Sequence, residues 1–287
     1  MSSLLLGAVS PARRIRNRVA TSSIWLSVAV AAVPLAFVVT YLVQRGAGMV
    51  DWRFLTGDIP ISSRIRGPGM GPAVLGTLLT TGAATAMAVP LGVLAAVYLN
   101  EYGGRGRLAA VIRFMSDVMA GVPSIVMGLF IYTAWVLRFG QTGFAGALAL
   151  ACLMLPIVIR SAETALQLVP NELREASAAL GARPSRTILT VVLPAALAGV
   201  VSGALLAVAR AAGETAPLLF TIGTVTESNR HLLRGTNTSL SAQIFINARQ
   251  PFEGGIDRAW GAALTLIVLV FVLTAVARTV ARRFTVR

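Results

Sequence analysis

The apolar positions of this chain form long uninterrupted runs instead of alternating with polar positions. Six stretches contain no charged residue, and they span 24–43, 67–100, 118–137, 139–159, 187–209 and 259–277. A helix needs about 20 apolar residues to cross the hydrocarbon core of a bilayer. The pattern therefore predicts an all-α integral membrane protein with six transmembrane helices.

The polar segments between these runs predict how the chain is organised. We expect a cytoplasmic N-terminal lead at 1–21, a first transmembrane helix at 22–43, an outer connection at 44–70, a core of five further transmembrane helices at 71–281, and a tail at 282–287. No polar segment is long enough to form a separate soluble domain.

The charges fit a membrane protein better than a nucleic-acid-binding protein, although the net charge is +14. Only 13% of the residues are charged, whereas a soluble domain carries about 25%. All 25 basic residues are arginine, and most lie in the connections between runs. Basic connections face the cytoplasm. The bias between alternate connections places both termini there, in the cell (plasma or inner) membrane.

The segment 160–186 is amphipathic and predicts a short helix outside the bilayer, at about 171–182. Pro170 and Asn171 form a helix-start signal, Gly181 is a natural stop, and apolar residues recur at helical spacing between them. Such a helix would lie parallel to the membrane surface. A connection of this length and order suggests that something binds to it.

Two charges, Arg210 and Glu214, interrupt the otherwise uncharged stretch 187–225. One straight helix of that length would be too long for a bilayer, so we expect a bend or break near Pro194, Gly213 or Pro217. Residues four apart can pair on one helix face. The pair has two interpretations, a salt bridge that fixes packing or a polar gate and anion contact on a substrate path, with the Thr215 hydroxyl beside it.

Other charges lie at the predicted membrane edges. Asp117 follows Arg113 by four residues, which predicts a local ion pair. Arg160 ends the fourth run, where it either extends to the interface or supplies positive charge at the inner mouth of a path.

The residues needed for catalysis or for tight metal binding do not occur together. The lone Cys152 excludes an intrachain disulfide, and the lone His231 lies in a polar connection without other ligands. We expect no catalytic residue, no metal site and no cofactor in this chain. The sequence has no lysine, so it cannot contain the Gly-Lys-Ser/Thr loop that binds nucleotide phosphates.

One motif resembles a known family. Glu175-Ala-Ser-Ala-Ala-Leu-Gly181 is followed after nine residues by Val191-Val-Leu-Pro194. This is similar to the coupling motif of the binding-protein-dependent transport permeases, the membrane subunits of ABC importers, with Ser177 and Val191 as mild departures. The resemblance implies a type I (MetI-like) permease core whose short helix docks on a cytoplasmic ATPase through Glu175, Ala176 and Gly181.

Further stretches resemble the phosphate importer branch, of the PstA type. They are 90–102, 121–130, 155–160, 169–175, 210–220 and 243–251. The resemblance implies an inorganic phosphate importer with a second, unlike permease (PstC type), an ATPase dimer (PstB type) that binds ATP and magnesium, and an external phosphate-binding protein. It implies a substrate path near Arg210, Glu214, Thr215 and Arg160.

Two alternatives remain open at this point. The first is a permease for another oxyanion, such as molybdate or sulfate, whose recognition uses the same arginine chemistry. The second is an ion-coupled secondary transporter or channel, which would need no docking helix.

Overall fold

The computed structural model describes residues 11–67, 69–104 and 106–284, and this part of the chain contains helices and connections but no strand. Five helical stretches are long and apolar enough to cross a membrane, and a bent pair supplies a sixth crossing if it counts as one span. The helices are α1 (Pro11–Gly46), α2 (Trp52–Thr56), α3 (Gly71–Val97), α4 (Arg107–Gly121), α5 (Ser124–Ile131), α6 (Leu137–Phe139), α7 (Gly143–Gln167), α8 (Asn171–Ala179), α9 (Pro184–Thr187), α10 (Leu193–Gly213), α11 (Ala216–Thr221), α12 (Leu240–Ala248) and α13 (Glu253–Phe284).

The terminal helices extend beyond the expected boundaries. Helix α1 begins at Pro11 and not at residue 22, because no glycine or proline interrupts residues 12–33. Helix α13 continues to Phe284, beyond the expected limit at 281. Residues 1–10 of the expected lead and 285–287 of the expected tail lie outside the described residues. Helix α1 packs on α13, where the Tyr41 and Trp260 rings meet edge to face at 5.2 Å.

The core of the molecule is the packing of α3, α7 and α10, which depends on small side chains. Ala84 and Ala88 of α3 and Ala207 of α10 are buried in one cluster with Leu150 and Met154 of α7. Small residues allow helix backbones to approach closely in a membrane, where the hydrophobic effect does not drive helices together. The alanine content of these runs therefore sets the close spacing of the core.

The third predicted span, 118–137, is broken. Helix α4 and the segment Ser124–Phe139 meet at an angle of 105°, and the break falls at Val122, which is extended (φ −69°, ψ 127°) before Pro123. A residue that precedes proline disfavours the helical region. The apolar run crosses this bend, so composition alone could not locate it.

The fifth run bends where glycine, not proline, ends the helix. A π-helical turn at Ile188–Val192 precedes Pro194, and the wider turn lets the chain continue into α10 without a break. Helix α10 ends at Gly213, Glu214 is extended, and α11 starts two residues later with Pro217 in its first turn. Of the three expected positions, the break is at Gly213.

Helix α11 packs against α5 at a very close backbone approach. A Cβ added to Gly128 of α5 would lie 2.5 Å from the Cα of Pro217, so only glycine fits there. This contact holds the segment that follows Glu214 against α5, the second half of the broken span.

Candidate functional site

The short polar helix α8 projects from the membrane-spanning body, and Arg174 attaches it there. The Arg174 guanidinium lies 2.9 Å from Glu101 Oε1, in the turn that follows α3. It also donates to the carbonyl of Leu166 in the last turn of α7, at 3.1 Å, and to that of Val169 just beyond α7, at 2.7 Å. Charged hydrogen bonds of this kind stabilise by about 1.5–3 kcal/mol each. One side of α8 is therefore fixed to the ends of two transmembrane helices.

The opposite side of α8 is open. Glu175, Ala176 and Gly181 are exposed, as is Leu180, whose exposed fraction is 88%. Ser177, one of the two departures from the coupling motif, is half-buried, and its hydroxyl lies 2.8 Å from that of Thr187 in α9. This hydrogen bond gives the substitution a structural reason, because it closes the hairpin between α8 and α9.

Gly181 ends α8 in the left-handed conformation, with φ +77°. Its N–H donates to the carbonyl of Ala178 at 2.9 Å, and the N–H of Ala182 donates to that of Ser177 at 3.2 Å. This pair of bonds is the Schellman motif, in which glycine turns the chain without a Cβ penalty. The predicted helix at 171–182 is therefore nine residues of helix followed by this turn.

Arg210 and Glu214 lie together at the break after α10. Arg210 Nε is 3.5 Å from Glu214 Oε1, and the exposed side-chain fractions are 67% for Arg210 and 18% for Glu214. The predicted pairing is confirmed, but at the limit of hydrogen-bond length. Thr215 is half-buried at the start of α11, and its hydroxyl makes no capping bond.

The Arg210 side chain lines a cleft of about 190 Å³ at the bend of the broken span. Met119, Ala120, Val122, Pro123 and Ser124 form one wall, and Leu153, Pro156 and Ile157 of α7 form the other. An exposed guanidinium in such a cleft can bind an oxyanion with two N–H groups at once.

Arg160 lies on α7, three residues beyond this cleft, and its partners are carboxylates. Its Nε donates to Asp117 Oδ1 at 2.9 Å, its Nη2 contacts the same oxygen, and its Nη1 lies 3.3 Å from Glu163 Oε2. Arg160 is thus paired within the protein and does not simply extend to the interface.

The predicted local pair between Arg113 and Asp117 is wrong. Arg113 Nε instead contacts Glu163 Oε1 at 2.7 Å, and Asp117 belongs to Arg160. The exposed fraction of the Glu163 side chain is only 4%, and a buried carboxylate needs close cations. The pairing of Arg113 with the buried Glu163 therefore stabilises the protein more than a surface pair with Asp117, its neighbour on α4, would.

Sequence reasoning missed Glu163, Glu101 and Arg258. Glu163 had a local signal, since it follows Arg160 by three residues. Arg258 is 2% exposed, and its Nε and Nη2 donate to Asn247 Oδ1 at 3.3 and 3.2 Å, while its Nη1 contacts the Ile65 carbonyl. It attaches the outer connection to α12 and α13.

The part of the chain that the structure describes contains no candidate metal site. No group of three or more histidine, cysteine or carboxylate side chains lies close enough there to bind an ion. His231 lies exposed in the connection between α11 and α12, where its backbone N–H donates to Asn229 Oδ1 at 2.8 Å.

The sequence profile of one family, the binding-protein-dependent transport system inner membrane component, matches residues 88–286. The chain belongs to this family. The matched range contains α8, Arg160 and the Arg210 cleft, whereas α1, α2 and most of α3 precede it.

Several relatives of this inner membrane component align over most of its length. The "Phosphate transport system permease protein PstA 1" of Mycobacterium tuberculosis (strain CDC 1551 / Oshkosh) is 46% identical over 90% of this chain and 86% of its own length. The PstA proteins of Mycobacterium leprae and Haemophilus influenzae are 45% and 39% identical, over 94% and 90% of this chain and 90% and 91% of their own lengths.

Solved structures show the same fold at low identity. The inward-facing MetNI methionine ABC transporter aligns with a TM-score of 0.60 and 19% identity, over 75% of this chain and 94% of that chain. A bacterial ABC transporter for import of the acidic polysaccharide alginate aligns with a TM-score of 0.56 and 14% identity, over 94% and 100%. The expected MetI-like permease core is confirmed.

Proposed function

We propose that this chain is the transmembrane permease subunit of an ATP-driven importer of inorganic phosphate, in which it forms half of the translocation path. The observation that carries the coupling role is α8, which is attached on one side through Arg174 and open on the side of Glu175 and Ala176. The substrate rests on the relatives of similar length that are named as phosphate transport permeases.

The motor of this importer is a separate ATPase dimer of the PstB type, which docks on Glu175, Ala176 and the turn at Gly181. The absence of lysine supports a separate motor, since a nucleotide-binding loop needs one. This chain then carries no catalytic residue and no cofactor, and ATP and magnesium bind to the partner.

The remaining partners follow from the same proposal. They are a second, unlike permease of the PstC type, an external phosphate-binding protein and the membrane lipid, with no nucleic acid. The chain crosses the cell membrane six times when the bent pair counts as one crossing. An even number puts both termini on one side, and α8, after four crossings, shares that side. Because the ATPase is cytoplasmic, docking of α8 on it places this shared side in the cytoplasm.

Along the path, Arg210 with Glu214 and Thr215 forms the contact within the membrane, and Arg160 lies toward the inner end. Among the described residues, Arg210 has one ion-pair contact, at 3.5 Å, and two-thirds of its side chain is exposed. A cation held this loosely can turn to an oxyanion without first breaking a short ion pair.

ATP-dependent uptake by vesicles that contain the four-component complex tests the substrate. We expect uptake of labelled phosphate that unlabelled phosphate reduces and that molybdate and sulfate leave unchanged. The arginine fork can bind any tetrahedral oxyanion, so the selectivity has to be measured. Competition by molybdate or sulfate would instead favour an importer of that anion. Uptake by this chain without the ATPase would indicate a secondary transporter.

Replacement of Glu175 tests the docking role. We expect Glu175→Gln to lower the amount of phosphate moved per ATP hydrolysed, because α8 no longer follows the ATPase. Glu227→Gln, an exposed carboxylate in the outer loop, is the matched control. An unchanged ratio in Glu175→Gln would contradict the assignment.

Replacement of Arg210 tests its assignment to the translocation path. Arg210→Gln should lower phosphate uptake while the complex still assembles, and Arg138→Gln, an exposed arginine of the outer side, should lower neither. Loss of assembly in Arg210→Gln would favour a packing role for the ion pair.

A further inference from the structure

Four charged side chains join α4 to α7 next to the Arg210 cleft, and they differ in their exposure and in the number of their contacts. The cluster contains two arginines, Arg113 and Arg160, and two carboxylates, Asp117 and Glu163, which are joined by three ion pairs. Its formal charge sums to zero. An anion that enters therefore meets no net attraction unless one carboxylate moves away.

Arg113 and Glu163 form the fixed half of the cluster. Arg113 also donates to the carbonyls of Leu99 at 2.9 Å and Gly104 at 3.3 Å, so its guanidinium is held by backbone as well as by charge. Glu163 contacts both arginines and is almost fully buried. Removal of Arg113 would leave the buried Glu163 carboxylate with only its longer contact to Arg160, at 3.3 Å, and a buried charge that loses a close partner is costly.

Arg160 and Asp117 form the loose half. Their exposed side-chain fractions are 41% and 57%. Among the described residues, the Arg160 guanidinium contacts the two carboxylates and no backbone carbonyl, and Asp117 contacts Arg160 alone. Half-exposed ion pairs contribute little to stability, since water and salt compete for both charges. Asp117 is therefore the carboxylate that can leave.

The position of this pair relates it to the cleft. Asp117 precedes Met119 of the cleft wall by two residues on α4, and Arg160 follows Ile157 by three residues on α7. At 1.5 Å per residue, the pair lies about 3–5 Å farther along both helices. An anion that leaves Arg210 toward the inner side meets Arg160 next.

We propose that Asp117 is an exchangeable counter-ion, which the translocating oxyanion replaces on Arg160 and which returns when the anion leaves. The proposal rests on the proposed import of phosphate and adds a positioning residue to its path. With Asp117 turned away, the Arg160 fork offers two N–H groups to two phosphate oxygens. With Asp117 returned, Arg160 is neutralised, so the anion is released and not trapped, as conduction requires.

Phosphate binding by the assembled complex without its external binding protein tests the exchange. In wild type, phosphate competes with Asp117, so Asp117→Asn should lower the Kd for labelled phosphate about two- to fivefold, the range expected for a half-exposed ion pair. Asp117→Glu keeps the competing charge and should bind as wild type does. In Asp117→Asn/Arg160→Gln the gain should disappear.

Asp257→Asn is the matched control. Asp257 also pairs with an arginine, Arg66 at 2.6 Å, but it lies on α13 away from the cleft, so the phosphate Kd should not change. A role of Asp117 in packing alone would lower the thermal stability of Asp117→Asn without tighter binding. An equal or weaker affinity in an assembled Asp117→Asn complex would overturn the proposal.

Failure of the exchange can be told apart from failure of the phosphate assignment. If the wild-type complex takes up sulfate or molybdate and not phosphate, the proposed substrate is wrong, and the same variants are measured with the transported anion. If wild type takes up phosphate and Asp117→Asn gains no affinity, only the exchange is wrong.

Discussion

Removal of the Arg174 side chain should detach α8 from the membrane-spanning body without unfolding either. In the structure, Arg174 joins α8 to Glu101 and to two carbonyls at the end of α7 and just after it. The exposed side-chain fractions are 21% for Arg174 and 10% for Glu101. Loss of such a charged, partly buried anchor destabilises by about 2–4 kcal/mol. Arg174→Gln should therefore raise the population of detached α8 by more than an order of magnitude.

Hydrogen exchange of the α8 amides in the purified complex measures that population. In Arg174→Gln the amides of Asn171–Ala179 should exchange at least about tenfold faster, while those of the α7 core should not change, and ATP hydrolysis should become less dependent on transport. Arg183→Gln, an exposed arginine of the same connection, is the control. Unchanged α8 exchange in Arg174→Gln would refute the anchor.

Three further substitutions test the fold around the site. Gly181→Ala places a side chain at φ +77° in open space, so it should fray the end of α8 by about 1–2 kcal/mol, visible as faster exchange there, whereas Gly181→Asn should fray it less. Gly128→Ala should lower the midpoint of thermal unfolding, because its Cβ meets the Pro217 backbone, while Gly82→Ala, with no atom near its Cβ, should not. Arg258→Gln should expose the outer connection to protease, since buried acceptors that lose a donor cost about 1–3 kcal/mol each.

Local signals in the sequence predicted the parts of the molecule that local physics determines. Apolar runs gave the crossings, Pro170 and Gly181 gave the limits of α8 and its turn, and the spacing of four gave the Arg210–Glu214 pair. Each of these needs only a few neighbouring residues and the bilayer thickness.

Contacts between distant segments were not predictable in the same way. Arg160 and Asp117 are 43 residues apart, and Arg174 and Glu101 are 73 apart. The spacing rule assigned Asp117 to its near neighbour Arg113 because only that partner is visible in the sequence. In the structure, α4 packs on α7 and Glu163 is buried between them. Arg113 therefore pairs with Glu163 and not with Asp117.

The acceptors of each arginine separate the scaffold from the path. Arg174, Arg113 and Arg258 all donate to backbone carbonyls, and a carbonyl of a packed segment cannot move aside for a ligand. Arg160 and Arg210 donate to carboxylate side chains, which rotate on flexible stems and carry the same charge as the substrate. An oxyanion can replace a carboxylate on a guanidinium with little change in local electrostatics. Among the described residues, Arg160 and Arg210 have carboxylate acceptors and no backbone acceptor, and we propose that the path for an anion follows these two.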